Sequence, residues 1–127
     1  MNYIFEILIL FFVLITFLQS GIDKLTDWRG NLGWLKQHFS NTILKNGVPL
    51  ALAVLVVLEL ATGILAVAGI YALLAEGDKS WAIYSLILSA VTLLFLLFGQ
   101  RLAKDYPGAQ TIVVYFIPVV FALYFLL

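Results

Sequence analysis

The chain is expected to be an all-α polytopic membrane protein: a four-helix bundle with a short amphipathic helical excursion between its first two spans, forming a single transmembrane domain over residues 1–127. Three observations predict this. Hydrophobic residues make up 64% of the sequence and charged residues 11%, whereas a soluble domain is about half apolar and about a quarter charged. The apolar residues gather into runs at 3–22, 49–74, 81–99 and 111–127, each long enough, at about 1.5 Å per residue, to cross a hydrocarbon core about 30 Å thick. None of the runs alternates with period two, so the lipid-compatible solution is a set of helices rather than a closed barrel.

The first run contains IFEILILFFVLITFLQSGI. It lacks a basic leading segment and a small-x-small cleavage site, and is read as a retained span rather than a signal peptide. Segment 23–47 follows, DKLTDWRGNLGWLKQHFSNTILKNG. Leu32, Leu35 and Phe39 recur there at helical spacing, with Arg29, Lys36 and Gln37 directed elsewhere. One or two short helices lying in the interface fit this pattern, with Asn31 as a cap and Trp28 and Trp34 at headgroup level. Trp81 reads as a further belt residue.

Pro49 suits the first turn of the second span, where a missing N–H costs nothing. Residues 76–80, EGDKS, form a polar turn before the third span. Pro107-Gly108 is read as a break before the fourth. Pro118, inside that last span, should kink it and free a carbonyl one turn earlier. Lys24, Arg29, Lys36, Lys45, Arg101 and Lys104 all fall in loops on one side, against Lys79 on the other. The positive-inside rule then places those loops in the cytoplasm and both termini outside.

Composition also excludes functions. The formal net charge is zero, and nothing in it argues for a nucleic-acid partner. Without cysteine there is no disulfide, thiolate zinc site or iron–sulfur ligand set. The lone histidine, His38, cannot give bis-histidine haem ligation and is read as solvated. No phosphate loop, dinucleotide fingerprint, metal motif or nucleophile–base pair is present, so neither a catalytic residue nor a metal site is expected.

What remains is a polar seam inside the bundle. Glu59 stands near the middle of the second span, where a charge costs at least about 2.5 kcal/mol. It therefore needs a partner, a proton or a water-lined space. Small and polar side chains belong at helix contacts in lipid. On that basis the inward stripes are Glu6, Ile9, Val13, Thr16 and Ser20; Glu59, Thr62, Gly63, Ala66 and Gly69; Ser85, Ser89, Thr92, Leu96 and Gly99; and Thr111, Tyr115, Pro118 and Ala122. Glu6 lies close to the aqueous phase.

Counting depth from the helix ends sets Thr16, Ser89, Thr92 and Tyr115 level with Glu59. Ser20 lies on the same seam. Lys24 falls about 10–15 Å shallower at about 1.5 Å per residue, so a Lys24–Glu59 pair requires the first loop to fold inward. Two readings of Glu59 stay open: a hydrogen-bonded acid that orders the bundle, or a proton or ligand group. Gly21, Gly63 and Gly69 are read as helix-packing positions.

Three segments resemble the DoxX and DoxD-like family of small four-span bacterial membrane proteins. They are Phe17-Leu18-Gln19-Ser20-Gly21-Ile22-Asp23-Lys24-Leu25, Leu58-Glu59-Leu60-Ala61-Thr62-Gly63-Ile64, and Asp105-Tyr106-Pro107-Gly108-Ala109. The resemblance marks Gly21, Lys24, Glu59 and Gly63. It implies a multi-pass protein of the bacterial cytoplasmic (inner) membrane, associated with respiratory or oxidative-stress chemistry. Some relatives are subunits of a thiosulfate:quinone oxidoreductase, and others join detoxifying enzymes.

The absence of cysteine sets this chain apart from the redox-active members of the wider group. The expected role is that of a non-catalytic accessory or docking subunit, in contact with quinone or lipid and with a membrane-protein partner or further copies of itself. No cofactor is bound by an evident motif. The alternative is a small proton-coupled transporter using Glu59.

Overall fold

A computed structural model describes residues 3–127; the first two residues of the expected domain lie outside it. The described residues form an all-α structure with four helices long and apolar enough to cross a membrane. The first spanning helix, Ile4–Thr26, comprises α1 (Ile4–Val13), a π-helical turn (Leu14–Leu18) and α2 (Gln19–Thr26). A short α3 (Trp28–His38) follows, then the spanning helices α4 (Val48–Ala75), α5 (Ser80–Leu102) and α6 (Tyr106–Leu126).

Three boundaries differ from expectation by three or more residues: the third spanning helix runs on to Leu102, which puts Arg101 in its last turn instead of a loop, and the other two have local reasons. The first helix does not stop at Ile22 but continues to Thr26, which makes Lys24 a residue of its last turn instead of a loop residue. The fourth begins at Tyr106, with Pro107 and Gly108 inside its first turn. Asp105 accepts a hydrogen bond from the Gly108 amide at 3.0 Å, and a proline in the first turn has no intrahelical bond to lose. The residues expected to break the chain therefore start a helix.

The excursion between spans one and two holds one helix, α3, followed by turns over residues 39–47. Its cap is Asp27 rather than Asn31: Asp27 Oδ1 accepts from the Gly30 amide at 3.3 Å, while Asn31 Nδ2 donates back to the Asp27 carbonyl at 2.8 Å. Gly77, with φ +65°, supplies the left-handed residue that ends α4, and the Asp78 amide then reaches the Ala72 carbonyl at 3.1 Å.

The core draws on all four spans. Leu10, Val13 and Phe17 meet Ala66, Ile70 and Leu73 from α4, with Leu86 and Leu93 from α5 and Val119, Ala122 and Leu126 from α6. The most buried residues of the first span are Glu6, Leu10, Val13, Phe17 and Gly21. Ile9, Thr16 and Ser20 are partly buried at the edge of that face. The step of four from Val13 to Phe17 to Gly21 passes through the π turn, and the first span packs against α4 along its whole length.

Of the residues expected inward on span four, Ala122 is buried, Tyr115 and Pro118 are partly buried, and Thr111 is exposed. Leu8, Ile64, Val91 and Phe121 are among the large apolar side chains left on the outside. That outer surface is what a lipid-facing bundle requires.

Candidate functional site: a buried ion pair beside an interfacial cavity

Glycine brings α2 and α4 together. A Cβ on Gly21 would lie 2.8 Å from Leu60 Cδ2 and 3.5 Å from Glu59 Cβ. One turn deeper, a Cβ on Gly63 would lie 2.8 Å from Leu18 Cβ and 3.2 Å from Leu18 Cα. Gly69 makes the corresponding approach to Ala82, whose Cα would stand 2.8 Å from an added Cβ. The three glycines thus mark close helix crossings, two between spans one and two and one between spans two and three.

Three polar side chains close around the first crossing. Ser20 Oγ donates to Glu59 Oε2 at 3.0 Å, Lys24 Nζ donates to Ser20 Oγ, and Lys24 Nζ stands 3.2 Å from Glu59 Oε1. Glu59 is 2% exposed. The Lys24–Oε1 contact is ionic without directed geometry, since Oε1 receives no hydrogen bond. Thr62 Oγ1, one turn along α4, is likewise buried without a partner.

The depth difference expected between Lys24 and Glu59 is closed by the helix, not by an inward fold of the loop. Ser20 sits one turn below Lys24 and meets Glu59 directly. Helical side chains lean toward the N-terminus of their own helix, and for α2 that direction leads into the bundle. The four-carbon stem of Lys24 covers the remaining distance.

The other hydroxyls of the expected seam are placed elsewhere. Ser85 Oγ donates across to the Thr62 carbonyl at 3.0 Å, Ser89 Oγ to the Ser85 carbonyl at 2.8 Å, and Thr92 Oγ1 to the Leu88 carbonyl at 2.8 Å. Tyr115 packs edge-on against Phe12, ring centroids 5.6 Å apart. Thr16 lies in the π turn. Among the described residues, none of Thr16, Ser89, Thr92 and Tyr115 hydrogen-bonds Glu59.

Lys24 also lines a cavity of about 320 Å³. The cavity lies beneath α3, between the first turns of α4 and the last turns of α5, with Trp34, Leu52, Leu55 and Phe95 among its walls. Its roof is pinned by His38. His38 Nε2 is 3.1 Å from Gln100 Oε1 and 3.7 Å from Asp105 Oδ2, and its ring stacks on Trp34 with centroids 4.5 Å apart. His38 is therefore partly buried and bonded to α5, not free in solvent as the sequence suggested. Asp105 contributes twice, to the α6 cap and to the His38 contact. The sequence carried only one trace of this arrangement, the Asp-Tyr-Pro-Gly signature of a helix start. Nothing local linked His38 to Gln100.

Four long apolar helices, with a Lys–Ser–Glu network at the crossing of the first two, define the class: a polytopic, helical integral membrane protein. No family model, curated protein or solved structure matches the chain. Among the described residues there is no cluster of three or more carboxylate, histidine or cysteine groups able to hold a metal ion.

Proposed function

We propose that the protein is a DoxX-like, non-catalytic accessory subunit of the bacterial cytoplasmic membrane that docks a redox or envelope partner and meets quinone or lipid beside its polar seam. The observation that carries this reading is the double role of Lys24. One side chain closes the ion pair with Glu59 and also lines the cavity beneath α3. A cavity that is mostly apolar, with a few converging polar groups, is the usual form of a small-molecule site. The three segments that resemble the family supply the respiratory context, and two of them contain the residues of the α2–α4 crossing. Purification in mild detergent after crosslinking tests the docking role. A specific membrane partner should be recovered with the protein, and recovery only as a partner-free monomer would reject it.

A second reading rests on a different observation. Glu59 Oε1 and Thr62 Oγ1 are buried without hydrogen bonds near mid-span, and transporter sites lie near the bilayer midplane. A proton-coupled permease would lose pH-dependent flux in liposomes on Glu59→Gln. Flux that is absent in the native protein, or unchanged in the variant, removes this reading.

A further inference from the structure

We propose that the cavity beneath α3 binds the uncharged, carbonyl-bearing head of an amphipathic molecule, with Lys24 as the donor. This names the ligand class of the site and rests on the reading of a quinone- or lipid-contacting subunit given above.

Size and chemistry lead to that class. The volume of about 320 Å³ is at the lower end of small-molecule sites. It accommodates a head and not a whole lipid. Among the described residues, Lys24 is the one Lys, Arg, Asp or Glu side chain bordering the cavity, and Glu59 at 3.2 Å compensates it, as Asp105 at 3.7 Å faces His38. An anionic head would therefore bring an uncompensated charge into a largely apolar space, at a high desolvation cost. A cationic head would face the ammonium group. A neutral carbonyl avoids both penalties.

Donor count agrees. An ammonium group has three N–H donors. One is given to Ser20 and a second side faces Glu59, which leaves one N–H for a ligand acceptor. Asn31, which also borders the cavity, spends one of its two amide N–H donors on the Asp27 carbonyl and is held there. The stacked Trp34–His38 pair provides a flat aromatic wall for a planar head. Phe95 and Phe98 border the cavity and are also exposed on the outside of α5, so a tail can leave toward lipid from there.

The shared chemistry has two sources, a quinone ring and the ester carbonyl of a neutral glycerolipid. The test is titration of the purified full-length protein in detergent, read by tryptophan emission, with three probes: a short-chain alkyl benzoquinone, a monoacylglycerol, and the fatty-acid anion of equal chain length. The neutral probes should saturate, and the anion should bind at least about tenfold more weakly. The tighter of the two neutral probes identifies the source.

Ala51→Phe fills the cavity from α4 and leaves Lys24, Ser20 and Glu59 untouched. It should weaken neutral binding at least about tenfold while the thermal midpoint without ligand is kept. If that variant does not fold, Gly99→Leu serves, since a Cβ there meets only Phe39 at an ordinary 3.5 Å. Anion binding as tight as neutral binding, purely non-saturable partitioning, or binding unaffected by cavity filling would each overturn the proposal. Loss of binding with a partner still recovered rejects this site alone. Binding without any partner rejects the docking role alone.

Discussion

The Lys24 ammonium lies 3.2 Å from the Glu59 carboxylate, although Lys24 is in the last turn of its helix and Glu59 is about three turns inside another. Ser20 bridges the two, accepting from the lysine and donating to the acid. Each charge is tolerable at this depth only because the other is present.

That mutual dependence predicts a non-additive mutant cycle. Lys24→Met alone leaves a buried acid without its counter-charge, and Glu59→Leu alone leaves a largely buried ammonium. Each should cost about 3–5 kcal/mol. The double variant Lys24→Met/Glu59→Leu should return to within about 1 kcal/mol of the native protein, because a hydrophobic replacement of the whole pair restores charge balance. Denaturation in detergent measures all four species. Additive losses would contradict the pairing.

Glycine substitutions should sort by what a methyl group meets. Gly63→Ala and Gly69→Ala drive a carbon to 2.8 Å from the facing helix, with backbone atoms of Leu18 and Ala82 close behind. Each should destabilise by about 1–3 kcal/mol. Gly33→Ala, inside α3 with nothing within 4 Å, should instead stabilise by about 0.5–1 kcal/mol through helix propensity. Thermal midpoints of the three variants make the comparison.

His38→Ala should loosen the roof of the cavity without unfolding the bundle. It removes the contact with Gln100 and the stack on Trp34, together worth about 1–2 kcal/mol. Hydrogen exchange should rise across α3 and the segment up to Val48. Protection within α4 and α5 should hold. An equal rise in all helices would assign His38 a global role instead.

Asp78 provides a pH-dependent contribution outside the membrane-spanning helices. Its carboxylate accepts from the Ser80 backbone N–H at 3.0 Å, which holds its pKa below the ordinary 3.8. The folded value is the lower one, so the stabilisation is fully present above the unfolded-chain pKa and is lost as pH falls through the folded value. A carboxyl NMR titration should give an Asp78 midpoint below 3.8, and Asp78→Asn should flatten the acid side of the stability curve. A midpoint at or above the ordinary value would contradict the hydrogen bond.

Much of the architecture was legible in the residues themselves. Hydropathy adds up locally, so four long apolar runs define four spans whatever their neighbours do. Glu59 stood out because a lone carboxylate in an apolar helix has no local explanation. The hydroxyl spacing of α5 marked a buried face, and Ser85, Ser89 and Thr92 are fully buried there. Helix ends were less legible. Pro107-Gly108 reads as a break along the chain, and the Asp105 cap makes it a helix start.

By itself, then, the sequence determined the class of the protein, the number of its spans and the presence of an intramembrane acid that needs compensation. Tertiary structure alone decided what compensates it. A uniform helical period cannot foresee the π turn at Leu14–Leu18, nor the continuation of the first helix to Thr26. The continued helix is what carries Lys24, with Ser20 one turn before it, alongside Glu59 of α4. The same holds for the cavity and its His38–Gln100 contact, which joins residues 62 positions apart. Such pairings depend on how helices cross and how closely glycine lets them approach, and no window along the chain contains that information.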